Sequence, residues 1–251
     1  MIYWTDTENG KIQRSSIDGT DVEELVSFGL ESPLGIVLDP AGGKMYWTDY
    51  GNHVVQRANL DGTDIETLVV DQPMPRHMAI DQEAGKVYWT DSSANRVQRA
   101  DLDGSQVQEL VSGIPTAGIA LDVPGGKMYW ADPFVGKKNQ RSNLDGSCLE
   151  DLVGGLSVQV GIALDLSASK MYWADSDSDK IQRANLDGTQ VEDVLSEQGG
   201  PRCLALDLHH GKVYWTASAT NKILRANLDG TEVEVLVSGH GAPRGIALEL
   251  S

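Results

Sequence analysis

Short apolar runs alternate with polar turns along the whole chain, and the pattern repeats. In the second period, GIVLD (35–39) is followed by KMYWTD (44–49), VVQRANLDG (54–62) and IETLVV (65–70). Each run is short, rich in β-branched or aromatic residues and bounded by Gly, Pro, Asn or Asp, which predicts four β-strands per period. Because runs such as GIALD are apolar without alternation, both faces of these strands are expected to be covered.

A YWTD-like hexapeptide marks each period. Its tyrosines are separated by 41 to 43 residues, and the motif contains all six tryptophans and six of the seven tyrosines of the chain. Six periods of four strands predict an all-β fold, a six-bladed β-propeller with four antiparallel strands per blade. A solenoid would need atypical capping repeats, and the sequence shows none.

The two ends of the chain complement each other. The chain begins in a second strand at 2–6 and ends on a first strand, RGIALEL (244–250). We therefore expect the C-terminal strand to join the N-terminal blade, which closes the ring and removes a sheet edge. The expected single domain, 1–251, comprises blade 1 from 1–27 plus 244–250, and blades 2 to 6 at about 34–70, 76–112, 117–154, 160–196 and 202–238.

The YWTD cores, the GIALD strands and the NLDG turns (59–62, 185–188 and 227–230) together resemble the YWTD six-bladed propeller of the low-density-lipoprotein-receptor-related family. The resemblance covers the whole chain and implies the same fold. In those receptors the propeller binds extracellular protein ligands or neighbouring modules. WD40 repeats share the period, but they carry a Gly-His signature in each repeat, and the five histidines here form no repeating Gly-His.

Within KMYWTD, side chains alternate between the two faces of a strand, so Tyr46 and Trp47 are expected in opposite seams between blades. The terminal Asp is followed by an Arg eight or nine residues later, which suggests a structural ion pair across each hairpin. The predicted pairs are Asp6–Arg14, Asp49–Arg57, Asp91–Arg99, Asp132–Arg141 and Asp175–Arg183. In the last blade, Ala217 replaces the Asp.

Loop lengths identify one face of the disc as variable. The spacings across the loops between strands one and two, and between strands three and four, are the same in every period. Only the loops between strands two and three, and between strand four and the next strand one, change in length. In an up-and-down blade these two loop sets lie on the same face, and variable loops on a fixed scaffold are where binding residues concentrate.

Several side chains on this face differ from one period to the next. Three arginines would surround the central opening of an otherwise acidic disc, His77 replaces a glycine, and Phe134 lies beside two lysines, a pattern typical of a partner-binding anchor. Strand-capping arginines paired with neighbouring acids are the alternative. The predicted ligand-binding face consists of Leu34, Tyr50, His53, Arg76, His77, Phe134, Lys137, Lys138, Arg202 and Arg244.

The composition of the chain limits the classes of partner that it is expected to bind. A net charge of −17 argues against nucleic-acid binding, and no apolar run is long enough to span a membrane. Neither a signal peptide nor an N-glycosylation acceptor is visible in the sequence. The two cysteines, Cys148 and Cys203, are expected to be unpaired, and unpaired cysteines favour a reducing compartment or a bacterial source. We expect a monomer without a metal or cofactor, and the compartment stays open.

Two function classes fit the fold. The first is a non-enzymatic module that binds a protein or peptide on the variable face. The second is a six-bladed hydrolase similar to calcium-dependent lactonases or strictosidine-synthase-like enzymes, which would need Glu, Asn or Asp side chains at the central channel. The inner strands read GIVL, MAI, GIAL and CLAL, which weighs against the hydrolase.

Overall fold

The computed structural model describes residues 1–250, which form 24 strands in six four-stranded antiparallel sheets. The predicted all-β, six-bladed propeller is confirmed. From the inside outwards, blade 1 consists of β24 (Pro243–Leu248), β1 (Ile2–Asp6), β2 (Lys11–Ser15) and β3 (Glu23–Val26). Blade 2 consists of β4 (Pro33–Asp39), β5 (Lys44–Asp49), β6 (Val54–Asn59) and β7 (Glu66–Val69).

The other four blades have the same order. Blade 3 consists of β8 (Pro75–Asp81), β9 (Lys86–Asp91), β10 (Arg96–Asp101) and β11 (Gln108–Ser112). Blade 4 consists of β12 (Ile119–Asp122), β13 (Lys127–Asp132), β14 (Lys138–Asn143) and β15 (Glu150–Val153). Blade 5 consists of β16 (Gln159–Asp165), β17 (Lys170–Asp175), β18 (Lys180–Asn185) and β19 (Glu192–Ser196). Blade 6 consists of β20 (Pro201–Asp207), β21 (Lys212–Ala217), β22 (Lys222–Asn227) and β23 (Glu234–Ser238).

The first and last strands of the chain close the ring. β24 pairs antiparallel with β1, with Tyr3 opposite Ala247 and Trp4 opposite Ile246. The backbone N–H of Glu249 also donates to the carbonyl of Met1 at 2.9 Å. Blade 1 is thus assembled from both ends of the chain, as the sequence predicts, and the pairing removes the edge that an open ring would leave.

The seams between blades are filled by the YWTD motif. Trp47 packs in one seam with Tyr3 of blade 1, whereas Tyr46 packs in the next seam with Trp89 of blade 3. All six tryptophans are fully buried, and the six motif tyrosines are at most 2% exposed. The predicted alternation is therefore correct, and each hexapeptide joins its blade to both neighbours through large apolar side chains.

The NLDG turns bring adjacent blades close together. Gly62 has φ of 85°, and a Cβ atom there would lie 2.2 Å from the carbonyl oxygen of Leu25 in the preceding blade. Only glycine allows both this backbone conformation and this approach. The preceding Asp61 accepts hydrogen bonds from the backbone N–H and hydroxyl of Thr63, at 3.0 and 2.6 Å, which hold the pKa of Asp61 below its usual value.

The predicted pairs between the motif aspartates and the following arginines are wrong. Strand register places Arg57 opposite Tyr46 and Asp49 opposite Val54, so Asp49 and Arg57 lie at different ends of the hairpin, about 10 Å apart at 3.3 Å per residue. The same register separates the other four pairs, Asp6–Arg14, Asp91–Arg99, Asp132–Arg141 and Asp175–Arg183. Asp91 does have an ionic contact, at 3.5 Å, but with Arg96.

The repeated arginines instead link neighbouring blades. Arg183 Nη1 donates to the carbonyl of Leu228 in the next blade at 3.0 Å and lies 3.3 Å from the hydroxyl of Tyr172, while its Nε donates to Glu192 at 2.6 Å. Every blade carries such a side chain, and each bonds a turn carbonyl of the following blade. We call them the seam arginines: Arg14, Arg57, Arg99, Arg141, Arg183 and Arg225.

Candidate ligand-binding face

The motif aspartates organise the loops of the variable face. Asp49 is completely buried and accepts hydrogen bonds from the backbone N–H groups of Glu31, Ser32 and Asn52, at 3.0 to 3.1 Å. Glu31 and Ser32 precede the first strand of the blade, whereas Asn52 lies between its second and third strands. Asp6, Asp91 and Asp175 bond both loop sets in the same way, so these carboxylates tie together the loops that vary in length. In blade 4, Asp132 accepts only from its own loop between strands two and three.

The three arginines predicted around the central opening do lie together there. Arg76, Arg202 and Arg244 are each the second residue of an innermost strand, on blades 3, 6 and 1, and we call them the rim arginines. Burial lowers the pKa of all three guanidinium groups. The positive charge of Arg202 lowers the pKa of Arg76 and of Arg244 further, and Arg76 contributes to the same effect on Arg244. The face therefore carries a compact cluster of positive charge within a strongly acidic protein.

Two of the three rim arginines have a polar partner, and none of the three forms an ion pair within residues 1–250. Arg76 Nε donates to the hydroxyl of Ser92 at 2.6 Å, and Arg202 Nε donates to the hydroxyl of Ser218 at 3.1 Å. Arg244 Nε is buried and has no hydrogen-bond partner. Within residues 1–250, no carboxylate lies within 4.0 Å of any rim arginine. The alternative of strand-capping arginines paired with acids does not hold for this cluster.

His77 and Cys203 close the central channel beneath the rim arginines. They lie on opposite blades, and His77 Nδ1 is 3.8 Å from Cys203 Sγ. Burial and then the positive charges of Arg76, Arg244 and Arg202 lower the pKa of His77 to about 3, so its ring is neutral at physiological pH. Burial also raises the pKa of the Cys203 thiol. The positive charge of this region therefore comes from the arginines alone.

Below this level the channel is apolar. A cavity of about 570 Å³ is lined by inner-strand residues of all six blades and extends to Pro40 and Leu250 near the opposite face. Its central wall consists of Ile36, Met78, Ile119, Ile162, Leu204 and Ile246. Carboxylate side chains are missing from this wall, and no group of three or more His, Cys, Asp or Glu among residues 1–250 could hold a metal ion.

Phe134 is the predicted aromatic that the fold brings to the rim. Its ring centroid lies 5.4 Å from the guanidinium carbon of Arg76, and the side chain is still 50% exposed. The adjacent Val135 is 81% exposed. An exposed apolar surface thus borders the cationic cluster on the side of blade 4.

The remaining predicted residues are more scattered. The rings of Tyr50 and His53 form a T-shaped, edge-to-face pair in the loop of blade 2, with centroids 6.2 Å apart, and His53 has φ of 60°. Lys137 is exposed, but Lys138 lies in β14 and pairs with Asp151 on the outer strand at 2.9 Å, so it faces away from the rim. Leu34 is half-buried, and its carbonyl accepts a hydrogen bond from Thr5 at 2.7 Å.

Seam threonines fix the backbone beside the rim. The Thr216 hydroxyl donates to the carbonyl of Arg244 at 2.8 Å and accepts from the N–H of Cys203 at 3.1 Å. Thr48 makes the equivalent bond to the carbonyl of Arg76. Blade 5 has Ala174 at this position, so the carbonyl of Arg202 lacks a threonine donor.

Ser92 and Ser218 were not identified from the sequence, although a signal is present. Both directly follow the YWTD-like motif, in blades 3 and 6, which also carry Arg76 and Arg202. In blade 1 the same position holds Thr7, whose hydroxyl donates to the carbonyl of Pro33 at 2.6 Å. This explains why Arg244 Nε has no partner. Co-occurrence of Ser after the motif and Arg before the first strand would have revealed the pairs.

Both cysteines are free, with Cys148 exposed on the outer part of blade 4 and Cys203 partly buried at the channel. The part of the chain covering residues 1–250 contains no helix that could cross a membrane.

Comparison with known proteins agrees with this architecture. The model of the low-density lipoprotein receptor repeat class B matches residues 1–40, 43–72, 85–113 and 169–208. Low-density lipoprotein receptor-related protein 4 from Homo sapiens is 44% identical over 39 residues, as is the protein from Mus musculus. That match spans 16% of this chain and only 2% of the length of either relative.

A solved structure shows the same fold over nearly the whole chain. A chain in a crystal structure of a nidogen/laminin complex superposes with a TM-score of 0.89, covering 98% of both chains at 22% sequence identity. At this identity the likeness establishes the propeller fold and leaves the ligand undetermined.

Proposed function

The chain belongs to the family of low-density lipoprotein receptor class B repeats, and on that premise we propose that it is a non-enzymatic module that binds a protein or peptide on its variable face. The scaffold is the same in every blade, whereas the loops of this face differ. The binding residues are the rim arginines together with Tyr50, His53 and Phe134.

One observation carries the proposal: the rim arginines are half-buried charges without carboxylate partners, beside an exposed aromatic side chain. Holding partly desolvated charges together without an ionic partner costs free energy, so a fold retains such a cluster at a place where a ligand completes it. Arg and aromatic side chains are also the residue types that contribute most strongly to protein interfaces. The combination occurs on the face whose loops vary and nowhere in the repeated scaffold.

The hydrolase alternative lacks supporting chemistry. A calcium-dependent lactonase site needs carboxylate or amide oxygens that converge on the channel. Here the corresponding wall is aliphatic, and the polar groups at its upper end are His77 and Cys203. His77 remains neutral, and neighbouring arginines would repel a cation. The site is therefore better suited to an anionic or apolar partner than to metal-assisted hydrolysis.

Face-specific alanine variants test the proposal. Peptides selected for binding to the parent protein from a displayed random library would be assayed against Tyr50→Ala/Phe134→Ala and against Leu166→Ala/Leu208→Ala. These side chains have comparable exposure, at 37% and 50% on the variable face and 37% and 42% on the opposite face. We expect the first variant to weaken binding by about tenfold or more, and the second to bind like the parent.

Thermal unfolding of both variants would establish that the fold is intact. Peptides whose binding depends on Leu166 and Leu208, but not on Tyr50 and Phe134, would move the site to the opposite face and contradict the proposal. Hydrolysis of an added lactone, dependent on calcium, would favour the enzymatic alternative.

A further inference from the structure

The chemistry of the rim specifies a ligand class more closely than the proposed function does. Three guanidinium groups share one small region, and each keeps donors that no protein acceptor uses. Arginine presents its N–H groups in a planar fork that matches a carboxylate, so an anionic oxygen pair is the complementary ligand.

The number of charges that the ligand brings is limited by the rest of the molecule. The chain has a net charge of −17, and outside the rim its surface would repel a polyanion such as nucleic acid. Asp177 also lies near enough to Arg202 to raise its pKa, whereas burial lowers that pKa more strongly. The rim is thus a local positive site in a negative field, which favours one compact anionic group over an extended anion.

The floor of the site decides how deeply such a group can enter. His77 and Cys203 approach each other across the channel at 3.8 Å, and neither carries a charge at physiological pH. They separate the rim arginines from the apolar cavity below. An anionic group therefore stops at the level of the arginines, where the half-buried guanidinium of Arg244 has no protein acceptor among the described residues.

The surroundings of the rim indicate what the anionic group is attached to. Phe134 stacks on Arg76 and remains half exposed, and Val135 is almost fully exposed next to it. A free inorganic anion would leave this apolar surface uncovered. A peptide that carries an apolar residue next to an acidic one would cover it while the carboxylate contacts the arginines.

We propose that the rim arginines bind one carboxylate of an acidic peptide segment, with a neighbouring apolar residue of that peptide packed on Phe134 and Val135. This inference rests on the proposed function and assigns the chemistry of its ligand. Arg244 is the central contact because its half-buried guanidinium has no protein hydrogen-bond partner, and Arg76 and Arg202 hold the opposite sides of the group.

Library selection tests this ligand class. Random dodecapeptides would be selected on the parent protein, and the enriched peptides would then be assayed against the triple variant Arg76→Gln, Arg202→Gln, Arg244→Gln. The control variant Lys44→Gln, Lys127→Gln, Lys212→Gln removes the same number of charges from the opposite end of the blades, where each lysine donates to an asparagine side chain. We expect enrichment of Asp or Glu next to an apolar residue, with affinity reduced about tenfold or more by the rim variant only.

A second measurement identifies free anions as ligands. The arginine Nε–Hε signals of the parent would be followed by NMR during titration with sodium acetate, sodium phosphate and sodium chloride. Saturable shifts of the rim arginines with acetate, absent with chloride, support recognition of a carboxylate. Shifts with phosphate at lower concentration than with acetate, without any acidic peptide being selected, would assign the site to a free anion and overturn the peptide ligand.

The outcomes separate this inference from the proposed function. Peptides that lack acidic residues, or that bind the rim variant as well as the parent, yet lose binding in the Tyr50→Ala/Phe134→Ala variant, overturn the carboxylate site and leave a peptide-binding face. If no peptide is enriched and no anion shifts the NMR signals of the rim arginines, both the carboxylate site and the proposed peptide-binding function are wrong.

Discussion

The seam arginines and the rim arginines show how one side chain serves two purposes in one fold. Arg183 has a carboxylate, a tyrosine hydroxyl and a backbone carbonyl as partners, and its hydrogen bond to Glu192 is the main cause of its raised pKa. Arg244 has no partner at Nε, and burial lowers its pKa. The first environment stabilises the charged side chain, whereas the second destabilises it.

The difference between seam and rim arginines corresponds to how often each position is repeated among the blades. The seam position is arginine in all six blades and satisfies the same need each time, which is to join a blade to the next turn. The rim position is arginine in blades 1, 3 and 6 only. A residue that recurs in every blade therefore belongs to the scaffold. A residue that departs from the repeat and lowers stability is retained for a purpose other than holding the fold together.

The largest expected effect comes from exchanging one arginine of each kind for alanine. Arg183→Ala removes the bond to the carbonyl of Leu228 and leaves the Tyr172 hydroxyl and Glu192 without this partner, so the free energy of unfolding should fall by about 2–3 kcal/mol. Arg202→Ala relieves repulsion among the rim arginines and should leave that free energy unchanged or slightly higher. Urea denaturation of the two variants and the parent measures both. Equal destabilisation by the two substitutions would contradict the distinction.

A smaller effect concerns the pKa of His77, which burial and then the rim arginines lower. The pKa is about 3 in the folded protein and 6.5 for the free side chain, so the unfolded chain takes up this proton first as the pH falls. Stability associated with His77 is complete above pH 6.5 and is lost progressively towards pH 3. At about 1.4 kcal/mol per pH unit, the loss reaches about 2 kcal/mol at pH 5.

His77→Gln should remove this dependence because glutamine does not titrate. The free energy of unfolding would be measured at pH 7 and pH 5, and the loss on acidification should be about 2 kcal/mol smaller in the variant than in the parent. Equal losses in both proteins would show that burial and the rim arginines do not suppress protonation of His77.

The smallest expected effect concerns the backbone beside the rim. Ala174→Thr would supply the carbonyl of Arg202 with the hydroxyl donor that Thr216 gives to the carbonyl of Arg244. We expect the free energy of unfolding to rise by about 1 kcal/mol. The reverse change, Thr48→Ala, should lower it by a similar amount or more, because the N–H of Gly35 also loses its acceptor. A destabilised Ala174→Thr protein would show that this seam is shaped differently from the others.

Several features of the fold were predictable because they depend on neighbours in the chain. The period of the YWTD motif predicts six blades, and the alternation of side chains along a strand places Tyr46 and Trp47 in opposite seams. The absence of a first strand before Ile2 predicts the pairing of β24 with β1. Each of these follows from local sequence repeated at a fixed interval.

The aspartate–arginine pairs show where such reasoning ends. A separation of eight residues fits a hairpin in more than one register, and the length of the turn decides which residues face each other. With four residues in the turn of blade 2, Asp49 faces Val54 and is free to bind the backbone of both loops. The pairing of Arg57 with Glu66 on the next strand then takes the place of the predicted contact.

The sequence by itself determined the number of blades, the strands in each, the composition of the seams and the positions that depart from the repeat. Only the tertiary structure decided that Arg76, Arg202 and Arg244 lie together, half-buried and without acids, and that His77 meets Cys203 across 126 residues of chain. The physical reason is the separation of the interacting residues along the chain. The first set of features arises between residues adjacent in the chain, whereas the second arises when the ring closes and brings opposite blades to one axis.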